Sequence, residues 1–289
     1  MSFRVVIDSC GELPENLRGD DRIISVPLGL QVGDKFFTDD ENLVQSELLA
    51  EIAAYEGCPK SSCPSPEAFM EACHCDAERV YIITLSSHLS GSYNAALLGK
   101  NLYEETYGGK DIYVLDSESA SAGMTNELLE VIRLESLGLK FKEAVARLEK
   151  FRDEHIIYFV LDNLETLRKN GRLSAWKAAI ASTMRIKPVC KGEKGEIAQS
   201  GQAIGSRKAL AKMVESVLGE AARLGRNLKE CNLVIAHCNC FARAEYVKGL
   251  FEAKAEYKAI YVNETSGLSS LYANDGGIIV SLALFCKHC

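Results

Sequence analysis

The sequence predicts an α/β fold in two domains, with a mainly parallel sheet in the N-terminal domain and a mixed α/β arrangement in the C-terminal domain. Short apolar runs rich in β-branched residues alternate with helical patterns through the first half, which is typical of strands joined by crossover helices. After Asp162, the turn at 191–195 separates two apolar arms, a hairpin signal that is absent earlier. These observations place the domains at residues 1–155 and 156–289.

Five apolar runs are the predicted strands of a largely parallel sheet, at 4–7, 23–30, 80–85, 112–115 and 156–161. Helical signals separate most of them. Leu48 and Ile52 fall on one helical face after Ser46, and Ser65 followed by Pro66 provides an N-cap and a proline at the first helical position. A further apolar helical repeat runs through 128–137.

The second half has a different order of elements. Beyond the hairpin, the pattern predicts a helix at 208–222, a strand at 233–237, a helix at 242–252 and a strand at 259–262. The apolar stretch from Gly276 is interpreted as a terminal helix, which we expect to pack back at the interface between the domains. No internal repeat or low-complexity linker is present, so we expect the two halves to pack closely.

The chain has 289 residues and a net charge of −7, and its composition argues against a nucleic-acid-binding or membrane protein. The negative charge argues against general binding to nucleic acid. The longest apolar stretches, such as 276–285, are about half as long as a bilayer crossing, so we expect no stable membrane insertion. The first residues carry no basic patch followed by an apolar run, so we expect no export signal and a cytoplasmic location.

Charge is divided unevenly along the chain. Residues 1–155 hold 14 Lys and Arg against 28 Asp and Glu, whereas residues 156–289 hold 19 against 12, so the halves carry −14 and +7. Two domains that attract each other across an interface explain this division. A basic surface on the second half, for an acidic partner or a phosphate, explains it equally well.

Eleven cysteines raise the question of a metal site. Cysteine and histidine cluster at 73–75, 237–240 and 286–289. Structural zinc sites usually combine Cys-x2-Cys pairs at regular separations, and only the cluster at the C-terminus has that spacing, so we expect no metal. The odd number of cysteines favours reduced thiols over a disulfide framework.

Small hydroxyl residues gather where predicted strands pass into loops. Asp8 and Ser9 end the first strand, and serine-rich segments follow at 61–66, 86–93 and 116–121. Because the carboxyl ends of parallel strands meet in one crevice, we expect these hydroxyls to line a ligand site suited to a carboxylate or phosphate oxygen. The alternative is that each serine only caps a helix.

Standard catalytic signatures are missing from the sequence. It contains no phosphate-binding P-loop, no Gly-x-Gly-x-x-Gly after the first strand and no Gly-x-Ser-x-Gly elbow. The serine-rich segments are therefore the strongest candidates for a functional site.

These short motifs, in this order, resemble the DegV family over nearly the whole chain. The first half contributes Asp8-Ser9 with Glu12-Leu13-Pro14, the segment 61–66, Leu89-Ser90-Gly91-Ser92-Tyr93, and Asp116-Ser117 with Ser121 and Gly123. The second half contributes Asn170-Gly171-Arg172-Leu173-Ser174, which is similar to the Gly-Gly-Arg-Ile-Ser signature of the family, Lys187-Pro188 with the hairpin, and Gly205-Ser206-Arg207-Lys208-Ala209. Each motif alone is weak, but their common order argues against a chance match.

The resemblance implies a two-domain DegV-like α/β protein that buries one long-chain fatty acid between its domains. Family members serve as the binding subunit of a bacterial fatty acid kinase. They present the carboxylate to a separate ATP-dependent kinase, which makes an acyl phosphate. Exposing an acyl chain to water costs about 0.8 kcal/mol for each methylene, so the chain needs an apolar tunnel with an accessible head group. The resemblance implies no catalysis by this chain and no cofactor.

The family's contacts to the ligand head group carry over to Ser61 and Ser90, with Ser62, Gly91 and Ser92 shaping the same loops. Ser61 stands where the family has threonine. Serine keeps the hydroxyl and lacks only the methyl group. Cys63, in turn, replaces a glutamine that is usual in the family.

The segment 272–276 departs from the His-Thr-Gly-Pro-Gly sequence of the family, and Tyr272 takes the place of its histidine. A phenol can donate a hydrogen bond to the carboxylate or to Ser90, but it does not become cationic near neutral pH. The competing interpretation is that the segment has repacked and that the Tyr272 ring only fills space.

We expect Arg172, Arg207 and Lys208, with Lys169, to form a basic face that meets the kinase or the acyl phosphate. The alternative role for Arg172 is an ion pair between the domains.

Two other functions remain open at this point. One is a hydrolase or phosphotransferase with Ser90 as nucleophile, although no histidine or lysine lies at a recognisable spacing to activate it. The other is a carrier of a different amphiphilic carboxylate. His88 and His237, near predicted strand ends, are interpreted as structural.

Overall fold

A four-stranded parallel sheet organises the first half of the chain in the computed structural model, which describes residues 2–173 and 185–285. The sheet has the order β2-β1-β6-β7, and a smaller antiparallel sheet has the order β4-β3-β5. The strands are β1 (Phe3–Asp8), β2 (Ile23–Val26), β3 (Gly29–Val32), β4 (Lys35–Thr38), β5 (Lys60–Ser62), β6 (Arg79–Thr84) and β7 (Asp111–Asp116).

Five α-helices accompany these strands within the described part of the first half. They are α1 (Gln45–Ala54), α2 (Pro66–Cys73), α3 (Ser92–Tyr107), α4 (Ala122–Ser136) and α5 (Phe141–Glu154). The predicted start of α2 is confirmed, since the Ser65 side chain accepts a hydrogen bond from the Ala68 amide and Pro66 is the first helical residue.

The second half is built on a six-stranded mixed sheet with the order β10-β9-β8-β13-β11-β12. Only β11 and β12 pair in parallel within it. Its described elements are β8 (Ile156–Val160), α6 (Glu165–Lys169), β9 (Ile186–Glu193), β10 (Glu196–Ile204), α7 (Ser206–Arg223), β11 (Cys231–His237), α8 (Phe241–Glu252), β12 (Ala259–Glu264), α9 (Gly267–Ala273) and β13 (Ile278–Leu284). The predicted hairpin is β9 and β10.

Three predictions about the elements are wrong. The expected terminal helix from Gly276 is β13, a strand buried between β8 and β11, where backbone pairing on both sides favours its β-branched residues. The run 23–30 is broken at Pro27 into β2 and β3, which belong to different sheets. The run 156–161 gives β8, which pairs antiparallel with its neighbours instead of joining the parallel sheet.

Helix α4 joins the two halves. Met124 and Leu128 pack in the core of the parallel sheet, whereas Ala122 packs against β11 of the mixed sheet. The Asn126 side chain donates to the Ser281 hydroxyl on β13 at 2.9 Å. A helix between two sheets has apolar contacts on opposite faces, which explains why ten of its residues are buried.

Helix α9 also crosses between the halves. It lies between β12 and β13 in the sequence, but Leu268 and Leu271 pack into the core of the first half. No helix within the described ranges is both long and apolar enough to cross a membrane.

Candidate functional site

A cavity lies between the two halves, and its walls come from both. About 880 Å³ of space between the walls is free of atoms, and part of it is open to solvent. The first half contributes Leu28, Leu85 and Leu89, among others, and the second half contributes a larger apolar set: Ile157, Phe159, Leu161, Leu167, Ile197, Leu268 and Ile279. The walls are therefore mostly apolar, with polar groups at defined positions.

Ser61 and Tyr272 meet at the cavity wall. Strand β5 pairs with β3 so that Ser61 lies opposite Leu30, and α9 carries Tyr272 to the same place. The Ser61 Oγ and Tyr272 Oη atoms are 3.1 Å apart, and both side chains are half-buried. Ser62 is exposed and absent from the cavity lining, because successive side chains of a strand point to opposite faces.

Ser90 lies on the loop between β6 and α3, and it lines the same cavity. Its Oγ accepts a hydrogen bond from the Ser92 amide at 3.2 Å and is 3.1 Å from the Ser92 Oγ. Gly91 precedes the helix, and a side chain there would approach Cys63 Sγ, which brings this thiol to the same loop. Among the described contacts of Ser90, none is with a general base.

Arg172 joins the Ser90 loop to the second half. Its Nε donates to the Leu89 carbonyl oxygen at 3.0 Å, and its Nη1 donates to the Asn170 carbonyl oxygen. The Asn170 amide in turn donates to the Pro59 carbonyl oxygen at 2.9 Å. These contacts place the Arg172 side chain in the cavity wall, so a cation lies beside the serine loops.

Arg207 and Lys208 lie elsewhere, at the exposed start of α7. The Arg207 guanidinium is 5.0 Å from the centre of the Tyr246 ring on α8. Neither side chain lines the cavity. Ser174, the last residue of the signature that contains Arg172, lies outside the described residues.

The hairpin of β9 and β10 closes another part of the cavity. Gly192, Gly195 and Ile197 line it, and the Gly195 carbonyl oxygen accepts a hydrogen bond from Ser86 Oγ at 2.7 Å. Gly195 has φ +79°, and a Cβ there would lie 2.7 Å from Ser86 Oγ, so glycine allows this close approach.

Three buried carboxyl groups lie behind the cavity wall. Burial raises the pKa of Asp8 to about 7, although the amides of Leu85 and Cys10 donate to it. Burial also raises the pKa of Glu12 to about 7. Asp39 accepts from the first two amides of α9, and burial raises its pKa as well.

Among the polar wall residues, Ser121 belongs to the serine-rich segment 116–121 that the sequence places at a ligand site, whereas no sequence pattern indicates Cys10 or Ser269. Cys10 and Ser269 are 259 residues apart and have a sulfur–oxygen distance of 3.9 Å. No local pattern reveals such a contact.

The histidines and cysteines have no common site in the described residues. His88 lies 3.5 Å from Glu196 at the surface, and His237 is buried, with its Nδ1 accepting from the Cys240 amide. Within 2–173 and 185–285, no three metal-binding side chains come together. The cluster 286–289 lies outside these ranges.

The architecture and the cavity define a class of protein, a two-domain α/β protein with an apolar interdomain cavity and hydroxyl groups in its wall. The chain belongs to the DegV family, whose model, described as an uncharacterised protein family, matches residues 2–283. A DegV domain-containing protein of Streptococcus pyogenes serotype M3 is 33% identical over 287 residues, covering 97% of this chain and 99% of the relative.

Two solved structures of DegV proteins share this fold and contain fatty acids. A DegV family protein of Ruminococcus gnavus, refined with vaccenic acid, is 48% identical, with a TM-score of 0.93 and coverage of 97% of this chain and 99% of that one. The Fak B3 protein of the Streptococcus pneumoniae fatty acid kinase, loaded with linoleic acid, is 29% identical, with a TM-score of 0.85 and coverage of 98% and 100%.

Proposed function

We propose that this protein holds one long-chain fatty acid in the interdomain cavity and presents its carboxylate to a partner kinase, which forms an acyl phosphate. The observation that carries the proposal is the Ser61–Tyr272 hydroxyl pair, which lines the same apolar cavity as Ser90 and Arg172. The fatty acids bound by the Ruminococcus gnavus and Streptococcus pneumoniae relatives support the ligand class.

The polar groups of the wall are suited to a carboxylate. In a pair of hydroxyls, one donates to the other, and the proton of the acceptor stays available to a ligand. The Ser61–Tyr272 pair therefore offers one donor, and Ser90 offers another. Arg172 adds a positive charge at the same wall, which favours the ionised form of a fatty acid.

The apolar walls are suited to the acyl chain. Side chains such as Phe159, Leu161 and Ile279 replace water around the methylenes. Each methylene removed from water contributes about 0.8 kcal/mol, so a long chain stabilises the complex far more than the head group does. A carrier of another amphiphilic carboxylate would use the same groups. Identification of the bound lipid distinguishes such a carrier from a fatty-acid carrier.

The handover to a kinase rests on an exposed basic surface at the start of α7. We place Arg207 and Lys208 on the face that meets the kinase or the acyl phosphate, since both are exposed and lie outside the cavity. Arg172 then acts at the carboxylate itself. Acyl-phosphate formation uses ATP, which is consistent with a cytoplasmic site of action. The Fak B3 relative supports a kinase partner.

A reconstituted assay tests the proposal. Lipid-stripped protein, fatty acid, ATP and a cognate fatty acid kinase are combined, and acyl phosphate is trapped with hydroxylamine. We expect hydroxamate only when both proteins are present. Product formed by this chain with ATP and fatty acid alone contradicts the carrier role and favours a phosphotransferase.

A further inference from the structure

The turn from β7 to α4 holds Ser121 in an unusual backbone conformation. Its φ is +54° and its ψ is −125°, the values of the first central position of a type II′ turn, where glycine dominates. A residue with a Cβ is strained there, and such strain is retained where the surroundings hold it, often at active sites. Two residues later, Gly123 is required, because a Cβ would lie 1.8 Å from Ser119 Oγ.

In a nucleophile elbow, a strained turn leads directly from a strand into a helix and carries the catalytic serine. Ser121 shares the strained backbone and the position before a helix, but residues 117–120 separate it from the end of β7. The sequence 119–123 is Ser-Ala-Ser-Ala-Gly and lacks the first glycine of the usual motif. The motif is therefore absent from the sequence, and the structure shares with it only the strained serine before a helix.

Ser121 is paired with a carboxylate. Its Oγ donates to Glu12 Oε2 at 2.9 Å, and both side chains are almost completely buried. Two further contacts hold Glu12 in place: the Thr125 hydroxyl donates to its backbone oxygen at 2.8 Å, and the Ser266 amide lies 3.4 Å from Oε1. A hydroxyl and an oriented base within hydrogen-bond distance are the elements of an activated nucleophile.

The surroundings of Glu12 suit a base that acts near neutral pH. Burial raises its pKa to about 7, close to the value at which general bases are most effective. The Cys10 thiol interacts with Glu12 and also with Asp8 of the same loop. Glu12 also borders a separate pocket, open to solvent, whose wall contains Arg4, Arg18, Asp20, Asp21, Asp39, Asp40, Glu41 and Glu264. The hydroxyls of Ser121 and Ser269 and the Ser266 amide hydrogen-bond to it.

The same serine lines the apolar cavity. A substrate in the cavity would have its apolar part against residues such as Leu268 and Ile279, with Ser121 in the same wall. Ser121 directly precedes α4, whose amino end stabilises negative charge that develops on a carbonyl oxygen.

We propose that Ser121 and Glu12 are the nucleophile and general base of an acyl-ester hydrolase site in the cavity wall, acting on esters of apolar carboxylic acids. Ser121 Oγ attacks the acyl carbon, Glu12 takes its proton, and the leaving alcohol departs with that proton. Water then attacks the acyl-serine, Glu12 takes a proton from the water and returns it to Oγ, and the carboxylic acid is released. This activity goes beyond the proposed carrier function.

An alkyl fluorophosphonate tests the nucleophile directly. Its reaction forms a bond from Oγ to phosphorus and breaks the phosphorus–fluorine bond, with fluoride as leaving group. Lipid-stripped full-length protein is treated with the probe, and intact mass and peptide mapping locate the adduct. We expect one adduct, at Ser121, with a labelling rate that rises with pH through about 7. Saturating fatty acid is expected to block labelling.

Variants distinguish the loss of a reacting group from the loss of the folded structure. Ser121→Ala is expected to lose the adduct and all turnover of p-nitrophenyl hexanoate. Glu12→Gln keeps the shape and the nucleophile, and it is expected to slow labelling at least about 100-fold. Ser136→Ala, at the exposed end of α4, is the matched control and is expected to label as the parent does. Thermal melts and the fatty-acid Kd are measured on every variant.

The first decisive result comes from the parent protein and therefore does not depend on whether a variant folds. No adduct at Ser121 in folded, lipid-stripped parent protein overturns the proposal, and so does labelling of Glu12→Gln at the parent rate. If fatty acid still binds in that case, the carrier function stands. Labelling of Ser121 in a protein that does not bind fatty acid supports the hydrolase site and contradicts the carrier function.

Discussion

Replacing Tyr272 with Phe removes one oxygen atom from the proposed head-group site. The Tyr272 hydroxyl is 3.1 Å from Ser61 Oγ, and the half-buried ring packs against the cores of both halves. Tyr272→Phe therefore deletes the hydrogen bond and leaves the ring contacts in place. Ser61 loses the partner that orients its hydroxyl toward a ligand.

The size of the effect follows from what the phenol contacts. A hydrogen bond between neutral groups contributes about 0.5–1.5 kcal/mol, and one to a charged group about 1.5–3 kcal/mol. We expect fatty-acid binding to weaken by about 0.5–3 kcal/mol, which is roughly 2- to 150-fold in Kd. Because Ser61 and Tyr272 are both half-buried and reach water, the melting temperature is expected to change little.

The assay is a titration of lipid-stripped protein with a fluorescent fatty acid, together with a thermal melt. Tyr261→Phe, on β12 and outside the cavity, removes a hydroxyl from another half-buried tyrosine and serves as the matched control. Tyr272→His, which restores the residue of the family, is expected to bind. If Tyr272→Phe binds as tightly as the parent and only Tyr272→Ala is impaired, the ring fills space and the donor role is refuted.

Four further outcomes are expected. Ser90→Ala weakens fatty-acid binding by about 1–3 kcal/mol in the same titration, whereas Ser62→Ala, whose side chain lies outside the cavity, leaves the Kd unchanged. Arg207→Ala leaves the Kd unchanged and lowers acyl-phosphate formation, and high salt weakens the kinase interaction more than lipid binding. Ser121→Gly melts higher than Ser121→Ala, because glycine relieves about 1–3 kcal/mol of backbone strain and loses about 0.5–1 kcal/mol through its flexibility. The raised pKa of Glu12 means that the folded protein keeps a proton that the unfolded chain releases, so this group lowers stability as pH rises from about 4.5 to about 7, and Glu12→Gln flattens that part of a plot of melting temperature against pH.

The sequence predicts the α/β order because its apolar runs have clear boundaries, and it fails where periodicity is ambiguous. The run that forms β13 is apolar at nearly every position since both faces of the strand are buried, and such a run has the same pattern in a buried helix. Strand β5 has the sequence Lys-Ser-Ser and exists because it pairs with β3. No local propensity predicts it.

The sequence likewise indicates some residues of the candidate site and not others. The serine-rich segments mark Ser61 and Ser90 because hydroxyls at strand ends form a recognisable pattern. The contact between Ser61 and Tyr272 joins residues 211 positions apart, so only the fold brings them together. Arg172 was expected to face a partner, and its place in the cavity wall depends on carbonyl groups from both halves. The conformation of Ser121 is likewise set by packing, not by a glycine.

Mass spectrometry of lipid extracted from the purified protein tests the central claim most directly. The protein is expressed in bacteria, washed without detergent, and extracted with organic solvent, with a Ser61→Ala, Tyr272→Phe double variant prepared in parallel. We expect about one long-chain monocarboxylic acid per protein molecule, and less in the double variant. Protein that carries no lipid, or an amphiphile without a carboxylate, contradicts the account.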